Sequence, residues 1–115
     1  MKILDRKSFM KLPSGVIYSK GCKWVFEGLS IKGDTITIDD RDIDWYYLGV
    51  EWIDAKGSDE ASSRLDEMLD KGISYPMETA YSRDGCFDYD DVFLVFERPD
   101  LERLQDYIQQ AIELE

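Results

Sequence analysis

Residues 29–38 read LSIKGDTITI, and no other stretch constrains the fold as much. Leu29 and Ile31 alternate with polar neighbours, and Ile36 and Ile38 do the same with Thr35 and Thr37. Successive side chains on a strand point to opposite faces, so the segment needs a sheet with one covered face. Gly33-Asp34 at its centre predicts a two-residue hairpin turn, because glycine adopts the positive φ such turns require.

Further strands are expected around this hairpin. GVIYSK (15–20) sets Val16 and Tyr18 on one face, and CKWVFE (22–27) alternates Cys22, Trp24 and Phe26 with Lys23, Val25 and Glu27. DWYYLGVEWI (44–53) reads as a returning strand with Trp45 and Tyr47 on one face and Tyr46 and Trp52 on the other. VFLVFE (92–97) is almost continuously apolar, the pattern of a buried central strand. Helices frame these strands. A short one starts at the cap Asp5, with Leu4 and Phe9 as a hydrophobic staple, and stops at Pro13. SDEASSRLDEMLDK (58–71) is a second, with Ser58 as cap, an apolar stripe of Ala61, Leu65, Met68 and Leu69, and Gly72 as the left-handed stop. A third begins at Pro99 or Asp100 and keeps Leu101, Leu104, Ile108, Ala111 and Ile112 at helical spacing. This order predicts one α+β domain over residues 1–115. Its antiparallel or mixed sheet of about five strands carries a short N-terminal helix and two longer helices packed on it.

Composition bounds the function classes. At 43% hydrophobic and 13% aromatic residues, the chain is too apolar to be disordered. It has no apolar run long enough to span a membrane, and charges interrupt the start MKILDRKSFM where a signal peptide would be apolar. The expected location is therefore cytoplasmic. Cys22 and Cys86 have no metal-ligand spacing and are expected as buried or half-buried thiols, with a disulfide left open. The charge is lopsided: residues 1–38 hold seven Lys/Arg against three Asp/Glu, and residues 39–115 hold seven against 22. With a net charge of −11, direct binding to nucleic acid or an anionic membrane is disfavoured and a basic protein partner is favoured. Plain solubility is the alternative meaning of the same charge.

The chain contains no histidine, which removes the commonest general base and zinc ligand. It also lacks phosphate-cradling glycine loops and nucleophile motifs. No enzyme, catalytic residue, cofactor or metal is expected. Asp40, Asp42, Asp44 and Glu51 mimic the acid spacing of a calcium loop, but Trp45 stands where the sharp turn needs glycine, and the flanks read as strands.

The acidic stretch 39–44 is instead read as a solvated connection leading into an aromatic strand. The candidate partner-binding set from this region is Asp39, Asp40, Asp42, Asp44, Trp45, Tyr46 and Tyr47, with the rings either displayed to a partner or covered on both faces. A second acidic segment, SRDGCFDYDD (82–91), adds Arg83, Asp84, Asp88 and Asp90. Arg83 there either grips an anion or pairs with its own acidic neighbours.

The segments ILDRKSFMKLPSGVIYSK, IKGDTI and RDG-F-D-D-VFLVFERPDLERL resemble small proteins of unassigned function carried by bacteriophages and prophages. The resemblance touches three segments and transfers no catalytic residue. It implies a protein made in an infected bacterial cytoplasm that acts on, modulates or inhibits a host component.

Two functions are carried forward. One is a non-enzymatic acidic interaction protein that docks on a basic host surface. The other is a binder or sequestering protein for a nucleotide-like signal, using Arg83, Lys7, Lys11, Lys20, Lys23 and stacking rings. A homodimer paired through a sheet edge is also open.

Overall fold

The computed structural model describes residues 1–22, 25–86 and 90–115. The strand order is β1-β6-β2-β3-β4-β5, with every pairing antiparallel. In chain order the elements are β1 (Lys2–Asp5), α1 (Arg6–Met10), β2 (Ile17–Cys22), β3 (Val25–Ile38), β4 (Arg41–Gly49), α2 (Ser58–Lys71), β5 (Ser82–Arg83), β6 (Val92–Val95) and α3 (Arg98–Glu113). The α+β class is as expected from the sequence, with six strands in place of about five. The flanking strands β1 and β5, of four and two residues, were not expected, while the separate strands expected at 22–27 and 29–38 merge into the single β3.

The expected hairpin turn at Gly33-Asp34 does not form. β3 runs unbroken through both residues, which share one bulge opposite Tyr46: Lys32 pairs Tyr47, and Thr35 pairs Trp45. The chain reverses instead at Asp39 and Asp40, whose φ angles of 52° and 62° are both left-handed. A two-residue hairpin turn of this kind needs positive φ at both central positions, and aspartate is among the few non-glycine residues that tolerate it. Gly33 is needed for a different reason. A Cβ on it would stand 3.0 Å from the Tyr81 ring and 3.1 Å from the backbone oxygen of Tyr46.

One face of the sheet holds the core. Phe9 and Met10 of α1 press onto Tyr18 of β2, Trp45 of β4, and Phe93 and Val95 of β6. The Phe9 ring stacks on Phe93 at 4.2 Å and meets Trp45 edge-on at 5.2 Å. Leu4 and Val16 close the margin. α1 reaches this position because Asp5 caps it, accepting a hydrogen bond from the Ser8 amide at 2.8 Å. β6, the apolar run, lies inside the sheet between β1 and β2 as its composition requires.

The longer helices contribute little burial. α2 begins at Ser58 itself, so Gly57 is the cap position and no side chain caps it, contrary to the role expected of Ser58. Gly72 closes it at φ 65° as expected. Of its stripe only Ala61 is buried, and Leu65 and Leu69 are exposed. α3 starts with a capping box between Glu97 and Asp100 and has Pro99 in its first turn. All of its residues are described, and none is buried. Both cysteines are free and exposed, where buried or half-buried thiols were expected, because each lies at a strand end or loop beyond the core. Lys23, Trp24 and the sequence reading placed on them lie outside the described residues.

Candidate functional site

The acidic and aromatic residues singled out in the sequence separate into an interior set and a displayed set. Asp44 and Trp45 belong to the interior, each 0% exposed. Neither can touch a partner, which corrects their assignment as docking residues. Trp45 faces the core because β4 alternates about the line set by Tyr47, and its indole N–H donates to the Tyr18 hydroxyl at 3.0 Å. Burial pushes the Tyr18 phenol well above its ordinary value, partly offset by that bond.

Asp44 is locked by three donors. Arg83 Nε donates to Oδ2 at 2.6 Å, the Gly85 amide at 3.1 Å, and the Trp45 amide to Oδ1 at 2.9 Å. Burial pushes its carboxyl up, but the Arg83 guanidinium and the two amides outweigh it and hold it below the usual carboxylate value. Arg83 pairs internally, but with Asp44 of β4 and not with the acidic neighbours of its own segment that the sequence suggested.

Asp84 is also interior. Its side chain accepts from Lys20 Nζ at 3.1 Å, and Lys20 reaches Asp91 at 3.3 Å. Arg6, buried at the start of α1, donates to the Cys86 carbonyl at 2.6 Å and to the Ile43 carbonyl at 3.1 Å, and its guanidinium sits 4.7 Å from the Trp45 ring. Ile43 is the extra residue of a bulge, since Asp44 pairs Ile36 and Asp42 pairs Thr37. A bulge leaves backbone groups without a ladder partner, and Arg6 fills that position. This ionic cluster pins residues 83–86 and Asp91 against the sheet. Burial lowers the Lys20 pKa, but the nearby Asp84 and Asp91 outweigh it, for a net upward shift. Among the described residues no group of acids or cysteines forms a metal site.

The displayed set is smaller. Asp39, Asp40 and Asp42 are exposed at the tip of the β3–β4 hairpin, with Asp42 accepting from Thr37 at 3.0 Å. Tyr46 is 43% exposed, on the face of β4 opposite Trp45, while Tyr47 packs partly against the core. Tyr46 and the exposed Tyr81 close over Gly33, and with Ser14, Lys32 and Asp34 they line a depression of about 280 Å³. Tyr81 was missed in the sequence because only β5, two residues long, brings it beside Tyr46. Asp90 is exposed, and Asp88 lies outside the described residues.

The cations expected to hold a small ligand do not converge. Arg83 and Lys20 are engaged by carboxylates, and Lys23 is outside the described residues. Lys7 and Lys11 line a groove of about 560 Å³ between α1 and the hairpin tip, together with Arg41 but also with Asp40 and Asp42. Its charge is mixed. Lys32, unremarked in the sequence, is a cation buried beside the Tyr46 depression: it is 1% exposed and donates to the Gly33 carbonyl and the Thr35 hydroxyl. Thr35 passes the chain on to the Met10 carbonyl at 2.7 Å. Burial lowers the Lys32 pKa.

No helix among the described residues is long and apolar enough to cross a membrane. No family model, curated protein or solved structure matches the chain.

Proposed function

We propose that this chain is a cytoplasmic, non-enzymatic interaction protein that docks on a basic protein surface. Asp39, Asp40 and Asp42 supply the charge, and Tyr46 with Tyr81 supplies the apolar anchor. The observation that carries the reading is that the Tyr46 ring is open to water, about 13 Å of strand from Asp42, while Trp45 beside it is fully interior. Exposed tyrosines next to carboxylates suit an interface in which charge speeds encounter and rings hold the complex. The likeness to phage-borne proteins makes a host-cell protein the class of partner to test, with its modulation or inhibition as the outcome. The ligand-sequestering alternative rests on the Lys7–Lys11–Arg41 groove, where Asp40 and Asp42 oppose an anion.

The test is capture from bacterial lysate at low and moderate salt, comparing the wild type with an Asp39→Asn, Asp40→Asn, Asp42→Asn variant and with Tyr46→Ala. Asparagine also accepts the left-handed conformation, so the turn survives the substitutions. A partner retained by the wild type and lost by both variants supports the reading. Equal capture by all three, or none by any, overturns it.

A further inference from the structure

Where β4 ends at Gly49, two carboxylates and two rings gather around one cavity. It measures about 190 Å³, its wall includes Tyr47, Gly49, Glu51, Trp52 and Glu78, and none of the residues lining it is a lysine or arginine. Two glycines make room for the first carboxylate. A Cβ on Gly28, whose φ is 76°, would stand 2.7 Å from Glu51 Oε1. A Cβ on Gly49 would stand 3.8 Å from both Glu51 oxygens and 4.0 Å from Tyr47 Cε2. The Leu29 amide donates to Glu51 Oε2 at 3.1 Å and fixes the carboxylate there.

Glu78 is held independently. The Ala80 and Thr79 amides donate to its Oε1 at 2.8 and 3.0 Å, and with the Ala55 amide they keep its carboxyl below the ordinary value, ionised at neutral pH. Its own amide donates to the Trp52 carbonyl at 2.8 Å, which ties it to the half-exposed Trp52 ring. Neither Glu51 nor Glu78 has an ion-pair partner among the described residues.

The same molecule shows what completes such a set. Arg64 of α2 reaches Glu60 at 2.9 Å and Asp54 at 3.7 Å, and its guanidinium lies 4.7 Å over the Tyr75 ring. A guanidinium is planar, so its face stacks on a ring while its edge donates to carboxylates. Around Gly49 the same kinds of group converge, and the wall supplies no cation. The cavity is smaller than the roughly 300–1,000 Å³ that drug-sized ligands occupy, so it suits one side-chain head. We propose that this pocket receives the guanidinium of an arginine side chain carried by a partner protein. It lies at the end of β4 away from the hairpin tip and does not rest on the function proposed for that tip.

The experiment is a heteronuclear NMR titration of the full chain at constant ionic strength, followed at the Trp52 indole N–H, which Trp52→Phe assigns. The probes are Nα-acetyl-arginine amide, its uncharged citrulline analogue, and a capped Gly-Arg-Gly peptide. The arginine probe is expected to shift the Trp52 signal saturably at roughly 1–10 mM, the peptide to bind at least as tightly, and the citrulline analogue to leave the signal unmoved. Glu51→Gln and Glu78→Gln should each weaken binding about tenfold, because glutamine still accepts the backbone amides and only the charge is lost. The Asp39→Asn, Asp40→Asn, Asp42→Asn variant should bind as the wild type does. No saturable shift by about 50 mM, an equal response to citrulline, or wild-type affinity in both glutamine variants overturns the inference. Loss of binding in the hairpin-tip variant overturns this location, and exclusion of the peptide overturns a protein as the source of the arginine. Should a glutamine variant unfold, Trp52→Ala read by saturation-transfer NMR takes its place, and wild-type affinity there overturns the pocket.

Discussion

Removing either partner of the Asp44–Arg83 pair should have very different consequences, because the two sit in different dielectrics. Asp44 is fully buried, and the Arg83 side chain is 50% exposed. In Asp44→Ala the Trp45 and Gly85 amides lose their acceptor, at about 1–3 kcal/mol each where no water replaces it. The freed guanidinium rehydrates, so its own loss is about 0–1 kcal/mol. The sum is about 2–7 kcal/mol, equivalent to a fall in Tm of roughly 8–28 °C for a domain of this size. In Arg83→Ala the carboxylate keeps both amides and gains water through the space vacated, so about 1 kcal/mol is lost. Urea unfolding at pH 7, followed by tryptophan fluorescence, measures both. A pH series adds a second reading. Asp44 is held below its ordinary value, so its contribution is complete at neutral pH and is lost as pH falls below about 4 through the depressed folded-state pKa. Removing Arg83 takes away the strongest lowering influence and moves that loss to higher pH. If Arg83→Ala costs as much as Asp44→Ala, the amide-centred account of this lock is wrong.

Three other substitutions probe the rest of the structure. Phe9→Ala empties the centre of the aromatic cluster and should cost about 3–5 kcal/mol in chemical denaturation, whereas a loss below about 1 kcal/mol would mean that α1 is not needed to close the core. Lys32 is charged in the unfolded chain and has a lowered folded-state pKa, so wild-type stability should rise with pH between that value and 10.5, and Lys32→Met should abolish the rise. A variant profile parallel to the wild type over that range would refute the assignment. Gly33→Ala forces a methyl group against the Tyr81 ring and the Tyr46 backbone and should destabilise by about 1–3 kcal/mol, with Tyr81→Ala recovering only the part due to the ring.

Legibility followed the range of the interaction. The Asp5 cap, the Gly72 stop and the interior position of β6 depend on residues near in sequence, and the periodicity carried them. The split of Trp45 and Tyr47 from Tyr46 was likewise visible in the alternation of β4, whereas Trp52, expected on the same strand, lies beyond its end at Gly49. The Gly33-Asp34 turn failed because a glycine that permits a turn also permits a bulge, and only pairing with residues 41–49 distinguishes the two. Asp44 looked like its solvated neighbours because its partners, Arg83 and Gly85, lie some forty positions away. No local pattern marks such a carboxylate as interior. For the same reason Lys20 and Arg6 gave no sign that they would meet Asp84 and Asp91 beneath the sheet.

The Asp39-Asp40 reversal acts as a ruler for everything after it. Side chains on β4 change sides at each residue, so one residue inserted at this corner, with the two-residue turn kept and the register slipped by one, would turn the Trp45 indole outward and bring Tyr46 in. Asp44 would leave its donors in the same movement. A change of length at the hairpin end is therefore tolerated only where the turn itself takes it up and the register of β4 is unchanged. Length variation can accumulate instead around residues 55–57 and 72–74, which lie outside the strand pairings and the Ile53–Met77 bridge.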